Sequence, residues 1–503
     1  MKNTLAKSEI RLQYSGFLIF AARMLSVATG LVFTLMLTRT TTEPQYGIWS
    51  NITDIATYFA FLAPAFPFWA MRFAARNKEG AIKTGVLANL MISIVATIIY
   101  LPLIPLILSL LGISETYILL YFIASMQIIE TYLITMVESC LRAKVPQTIG
   151  YGLLIEESCK VLLAYILIIR LQQPLIGALL SLIIAIAIQI IYYLKLLSPE
   201  LKQSIKWNYV KEWLKGSTVN IYYFIGDRIA AFTFIILIAY DLSAGPAARG
   251  VYQAAFTIAN IITYSSFLSF ALYPKILAEN SLKDVTTSLK TVLMFAIPMT
   301  AGAIALSESY LTILNEIYKE ATMVLVVLAI GAFVLVISAF FSSVLYGLER
   351  IDEKAKIPLR QLAKSPLFKA FTLPYVHSAI TLPATFYVLT TFARNQPTLA
   401  AFYVGIIDTV ARLTAFIILY AIIRKIVKVD VPWKNIAKYV SASAVMVFFL
   451  FFIPHPTRLS STLGITAAGG IIYLTLLAAI DKETRELIHT VWQEIKFKVK
   501  GKT

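Results

Sequence analysis

Apolar residues recur along this chain in long runs, and polar residues gather in short stretches between them. A bilayer core about 30 Å thick is crossed by about 20 mostly apolar helical residues. Backbone polar groups cannot stay unpaired in hydrocarbon, so each run predicts a helix. The pattern predicts fourteen spans: Tyr14–Thr38, Ile48–Met71, Gly85–Leu110, Tyr117–Leu141, Gly150–Ile169, Leu175–Leu197, Val219–Tyr240, Val251–Tyr273, Thr291–Leu306, Ala321–Leu345, Phe371–Phe392, Leu399–Ile423, Tyr439–Ile453 and Leu463–Ile480. The alternating segments of roughly 10 residues that mark an outer-membrane barrel are absent.

Composition agrees. Over 503 residues, 59% are hydrophobic and only 14% are charged, against about 25% in soluble domains. Cys140 and Cys159 suggest no disulfide framework, and with three histidines they suggest no metal centre.

The net charge of +17 would point to nucleic acid on a soluble chain. Placement decides otherwise. With the N-terminus in the cytoplasm, the outer connections hold only Arg39, Arg170, Arg249, Lys319, Arg394 and Arg458. Arg23, Lys160, Arg228 and Arg412 lie deep within spans, and the other Lys and Arg residues sit on the inner side. Short loops rich in Lys and Arg stay cytoplasmic. The expected topology is therefore a multi-pass cell (plasma) membrane protein with both termini cytoplasmic. Its basic face meets anionic lipid rather than nucleic acid.

The first apolar run follows Lys2, Lys7 and Arg11. It is too long for a cleaved signal and is expected to be an uncleaved anchor. In the basic tail, Leu487, Val491 and Ile495 are spaced for a helix lying on the membrane surface. The terminal Gly501-Lys502-Thr503 lacks the earlier glycine of a P-loop, because Lys496 stands there.

Three short matches indicate an internal duplication. Pro44-Gln45-Tyr46-Gly47-Ile48-Trp49 pairs with Ala247-Ala248-Arg249-Gly250-Val251-Tyr252; Arg142-Ala143-Lys144-Val145-Pro146 pairs with Lys354-Ala355-Lys356-Ile357-Pro358; Gln173-Pro174 pairs with Gln396-Pro397. Six spans separate the partners each time. An even number preserves orientation, so the two halves would be related by an axis along the membrane normal. The expected fold is all-α: about fourteen transmembrane helices in two pseudo-symmetric six-helix lobes plus two extra C-terminal helices. The divisions fall at 1–216 (N-terminal lobe), 217–428 (C-terminal lobe), 429–480 (accessory spans) and 481–503 (basic tail).

Further residues carry a family likeness: Leu37-Thr38-Arg39, Pro44-x-Tyr46-Gly47-Ile48-Trp49, Leu141-Arg142-Ala143, Leu175-Ile176-Gly177-Ala178, Asp227-Arg228 and Tyr346-Gly347-Leu348. On these the chain resembles the multidrug/oligosaccharidyl-lipid/polysaccharide (MOP) exporter superfamily, in its polysaccharide or O-antigen-type flippase branch. It is similar also to the lipid II flippases, which have fourteen spans. The resemblance implies two six-helix lobes around a central cavity and alternating access. It implies a cargo of polyprenyl- or dolichyl-linked (pyro)phosphate oligosaccharide, carried to the outer leaflet without covalent chemistry. The chain departs from the pattern at span eleven, where Pro374, His377 and Pro383 are expected to interrupt the helix.

Charges inside a membrane are costly, so they face a cavity or a partner. Arg23 and Arg228 lie on the first helices of the two halves. Guanidinium forks match phosphate oxygens, which makes this pair the candidate site for the lipid phosphate. Lys160 and Arg412 are further candidates, but each follows an acid by four residues, Glu156 and Asp408, and that spacing favours structural pairs. Asp227 adjoins Arg228 but points about 100° away on a helix and is not expected to neutralise it. Asp54, Glu130, Glu138, Glu156, Asp227, Asp408 and His377 are candidates for ion coupling or cavity lining, and the possible coupling ions are H⁺ and Na⁺. No cofactor or metal is expected. The expected partners are the lipid-linked cargo and membrane lipids, and the protein is expected to be a monomer. The six Lys and Arg residues of Leu348–Lys369 read as a topological anchor.

Two other readings compete. One is a cation-coupled exporter of small drugs on the same fold, whose site would carry acids without paired arginines. The other is a membrane-embedded polysaccharide polymerase or glycosyltransferase. It would need a large outer loop bearing acids or histidines, and none is present.

Overall fold

The computed structural model describes residues 12–38, 58–111, 114–241, 244–279, 281–314, 316–349, 364–427, 429–453 and 458–486, with isolated positions at 40–41, 49, 52, 55–56 and 361. Asp54, Arg39, most of the 348–369 loop and the tail beyond 486 lie outside the described residues.

Among the described residues every regular element is helical. The α-helices longer than eight residues are α1 (Leu12–Thr38), α2 (Ala65–Ala75), α3 (Ala81–Leu111), α4 (Ile118–Lys144), α5 (Gln147–Ala164), α6 (Pro174–Leu196), α7 (Trp207–Ala239), α8 (Ala244–Asn260), α9 (Val285–Ala305), α10 (Thr322–Leu348), α11 (Leu373–Thr391), α12 (Pro397–Arg424), α13 (Trp433–Phe451) and α14 (Leu459–Ile480), with shorter ones at Ser198–Leu201, Leu272–Glu279, Ser307–Leu314 and Pro366–Phe371. Nine helical stretches among the described residues are long and apolar enough to cross a membrane. They contain α3, α4, α6, α8–α10 and α12–α14, and they mark a multi-pass membrane protein. Helices α5 and α7 carry Glu156, Glu157, Lys160, Asp227 and Arg228 in their interiors, which lowers their hydropathy.

Packing follows the duplication. Helix α1 lies on α5, and α4 contacts α3, α2 and α6; α7 lies on α11, and α10 contacts α9, α8 and α12. The same pairs recur six helices later. The backbone repeats in finer detail too. Gln172 and Asn395 are both left-handed (φ 52° and 53°), an unusual state for a residue with a side chain. Gln173 and Gln396 follow as N-caps, and Pro174 and Pro397 then open α6 and α12. Proline suits that first turn because its missing N–H has no helical acceptor there.

Buried apolar residues segregate in the same way. One cluster draws mainly on α8–α12 and takes in Tyr439, Met446, Tyr473 and Leu477 of the last two helices. Three others are built mostly from α1–α6. Helix α13 therefore packs on α9, and α14 on α13.

The last pair is locked by polar contacts, several of them just beyond the C-terminal end of α14. The Tyr473 hydroxyl donates to the Met294 carbonyl at 2.6 Å. Lys438 meets Asp481 at 2.8 Å, and Lys290 meets Glu483 at 2.7 Å. Burial alone raises the Asp481 carboxyl, but the Lys438 ammonium and the Thr484 donors outweigh it and hold the group below its usual range. A carboxylate with a depressed folded pKa stabilises fully above its ordinary pKa of about 3.9 and loses that contribution as pH falls through the depressed value. Asp481→Asn should thus cost about 1–3 kcal/mol at pH 7. In thermal unfolding of the detergent-solubilised protein, the gap to wild type should narrow below about pH 4. A gap constant with pH would remove this carboxylate from the lock.

Three predicted elements need correction. Span two is not continuous over Ile48–Met71: residues 60–64 form a turn closed by Ala63 N–H to the Ala60 carbonyl and Ala65 N–H to the Leu62 carbonyl, and α2 starts after Pro64. Span eleven is not interrupted: α11 is continuous through Pro383, and Pro374 sits in its first turn, where it is harmless. Span eight is broken instead. Below Asn260 the chain tightens into a 3₁₀ segment, Ile261–Ser269, followed by a short helix at Leu272–Glu279. Thr263, Ser265, Ser266 and Ser269 each donate a hydroxyl to the carbonyl three residues back, and such back-bonding competes with the α-helical ladder. The tightened segment receives α1 closely. A Cβ on Gly16 would lie 2.1 Å from the Leu268 carbonyl oxygen, so only glycine fits there.

Candidate functional site

Among the described residues, buried ion pairs gather in one place within α1–α6 and in another within α7–α12. In the first half the group centres on α5. Lys160 Nζ lies 2.7 Å from Glu157 and 3.3 Å from Glu156. The Thr29 hydroxyl of α1 donates to Glu157 from across the helix interface. On α6, Gln189 donates to the Tyr193 hydroxyl at 2.9 Å, which in turn donates to the Ile149 carbonyl at 2.9 Å. Glu138 of α4 lies beside Tyr193, and the Arg23 charge reaches both Glu138 and Glu156.

In the second half, Asp408 of α12 is 8% exposed. One oxygen accepts from Arg412 Nε at 2.8 Å, and the other meets His377 Nε2 of α11 at 3.0 Å. Tyr252 of α8 is within electrostatic reach of both Asp408 and Arg412. A cavity of about 10 Å³ opens beside this group, lined by Asn260, Thr263, Asp408 and Arg412 among others. That is room for about one water.

The four interior bases therefore divide. Lys160 and Arg412 are committed to carboxylates one helical turn back, as their spacing predicts. Arg23 stacks on the Phe267 ring at 5.2 Å, and its Nε is buried without a hydrogen-bond partner among the described residues. The Arg228 side chain is 79% exposed. Its relation to Asp227 differs from expectation: the carboxylate swings to 3.7 Å. The cause is side-chain reach, because adjacent residues diverge at Cα but long exposed side chains bend back. At that distance and exposure the pair is loose. Glu130 is buried on α4, with one oxygen unpartnered among the described residues. No contact joins Arg23 to Arg228 among the described residues. No group of His, Cys, Asp and Glu among them could hold a metal ion.

Sequence reasoning missed the Asp408–His377 contact, because 31 residues separate the partners. It also read Arg72 and Arg142 as loop charges. Arg72 is instead fully buried between the halves, and only its Phe-Trp-rich surroundings in α2 hinted at that.

No family model and no curated protein sequence matches the chain. Solved structures do match. A MOP superfamily transporter from Pyrococcus furiosus aligns over 83% of this chain and 96% of its own, with a TM-score of 0.63 and 15% identity. Its description states that a binding pocket of reverse polarity suggests a different function. The Vibrio cholerae MATE transporter VcmN in its bent form aligns over 82% and 96%, at TM-score 0.60 and 16% identity. An outward-facing multidrug resistance MATE family transporter of the MOP superfamily aligns over 83% and 96%, at 0.59 and 15%. The chain shares its fold with these transporters. At this identity the likeness is one of fold. About a sixth of the chain has no counterpart in these neighbours.

Proposed function

We propose that the protein is an alternating-access transporter that turns a lipid-linked oligosaccharide, carried on a polyprenyl or dolichyl (pyro)phosphate, from the inner to the outer leaflet. Fourteen spans would form two six-helix lobes, divided near residue 216, with residues 429–480 as an accessory pair. Both termini would lie in the cytoplasm of a plasma-membrane protein. The unmatched sixth of the chain is similar in size to the stretch from 429 onward.

One observation carries the reading. Of the four bases that the sequence places within spans, Lys160 and Arg412 form close buried ion pairs, whereas Arg228 makes only a loose, exposed contact with Asp227, and the Arg23 charge reaches Glu138 and Glu156 without a close ion pair among the described residues. A guanidinium without a tight acid partner is open to a phosphate, which it binds bidentately.

A second reading is a cation-coupled exporter of small molecules, favoured by the MATE neighbours. The first-half cluster also favours it, because Glu138, Glu156 and Glu157 outnumber Lys160 and Arg23 there. The coupling ion would be H⁺ or Na⁺, held at that cluster or at Glu130. Vesicles reconstituted with the protein separate the two readings. A flippase moves lipid-linked oligosaccharide to a leaflet where an external modifying enzyme reaches it, whereas a drug exporter accumulates a cationic dye under an imposed Na⁺ or H⁺ gradient.

A further inference from the structure

Several contacts between the first and second halves gather near the C-terminal ends of α2, α4 and α10. Arg72 of α2, in the first half, is fully buried there. Its Nη1 donates to the Tyr346 carbonyl at 2.8 Å and to the Tyr273 hydroxyl at 3.2 Å; its Nη2 donates to the Glu349 carbonyl at 2.7 Å. All three acceptors belong to the second half. Arg142 of α4 donates through Nε to the Phe270 carbonyl at 2.8 Å and lies 4.0 Å from the Phe270 ring. The Phe68 ring packs against Tyr273, Tyr346 and Phe371 across the same boundary. Next to this layer, the Ser217 hydroxyl of α7 donates to the Ala65 carbonyl of α2 at 3.3 Å.

We propose that Arg72 and Arg142 form an inter-half latch that seals the transporter at its basic-loop end, and that loading from that side requires both guanidiniums to leave their second-half acceptors. The inference rests on the alternating-access reading above. Its chemistry suits a reversible closure. Charge-assisted bonds to carbonyls are strong and directional. Carbonyls exposed on opening are hydrated in turn, as are the freed guanidiniums, so release trades one set of hydrogen bonds for another. A hydrophobic seal alone would lack that register. Two packed bodies with discrete contacts switch between arrangements rather than deform. None of the arginines' acceptors sits in a site charge cluster, so the latch is separable from cargo binding.

Thiol labelling tests this on the full-length protein with Cys140→Ala and Cys159→Ala as background. Ser217→Cys reports opening, because Ser217 is buried against the opposite half. Ala124→Cys reports unfolding instead, because Ala124 is buried within a first-half core. A water-soluble maleimide is applied from the basic-loop side. Arg72→Ala and Arg142→Ala should each raise the Ser217→Cys labelling rate about tenfold, and the milder Tyr273→Phe about threefold, with Ala124→Cys unchanged. Unchanged Ser217→Cys labelling in Arg142→Ala and Tyr273→Phe would overturn the latch. So would a rise matched at Ala124→Cys in Tyr273→Phe. Labelling needs no cargo, so a latch that opens as expected while lipid-linked oligosaccharide fails to move would count against the cargo and not against the gate.

Discussion

Arg228→Ala should lower transport of a phosphate-linked cargo by about 10- to 100-fold, the worth of one charge-assisted hydrogen-bond set. It should leave thermal unfolding in detergent within about 0.5 kcal/mol of wild type. The pairing of those outcomes follows from geometry. The Arg228 side chain is 79% exposed and lies 3.7 Å from Asp227, so little packing depends on it. Lysine keeps the charge but loses the fork, and Arg228→Lys should fall between wild type and alanine. Arg23→Ala should lower transport similarly but also lose stability, because its guanidinium lies over Phe267 and its charge reaches Glu138 and Glu156. Full transport in both alanine variants would end the phosphate-site proposal while leaving the fold untouched.

The second large effect is on stability. Asp408→Ala should cost about 3–5 kcal/mol, because it strands the Arg412 guanidinium in a buried site. Arg412→Met should cost less, because His377 Nε2 remains within hydrogen-bond distance of Asp408, at 3.0 Å. Asp408→Leu with Arg412→Met should recover most of the loss, since replacing both partners of a buried pair with apolar groups is often close to neutral. Thermal unfolding of the wild type and the three purified variants gives the comparison. A double variant as unstable as Asp408→Ala would show that the carboxylate matters beyond its pairing. A double variant that is stable and transports normally would make the cluster a packing device. One that is stable and silent would make it a working part of the cycle.

Helix positions were largely legible because lipid tolerates few alternatives: a long apolar run must close its own hydrogen bonds. The acid–base pairs at Glu156–Lys160 and Asp408–Arg412 were legible for a related reason, since four residues on a helix fix their proximity. What escaped depends on tertiary contacts or on local competition. The 3₁₀ segment at Ile261–Ser269 has no glycine or proline to announce it; its hydroxyls bond back to the chain. Helix α7 starts at Trp207, well before its apolar run, because Trp213 is buried against Phe66 and Phe73 of the first half. Charge counting assigned Arg72 to the inner surface, which suits its side of the chain, but could not reveal that it is buried between the halves. The likeness of the Gln172–Pro174 and Asn395–Pro397 corners was visible only as a shared Gln-Pro, and the structure adds a left-handed residue before each.

The central claim is a transporter whose cargo is held by its phosphate, and transbilayer movement in vesicles tests it most directly. Wild-type protein is reconstituted, and a lipid-linked oligosaccharide is supplied on one leaflet beside the same lipid-linked sugar without phosphate. An enzyme confined to the opposite side records arrival. The account predicts that the phosphate-bearing cargo crosses and the neutral one does not. Equal movement of both, or movement of neither while a cationic dye is carried under an ion gradient, would contradict it.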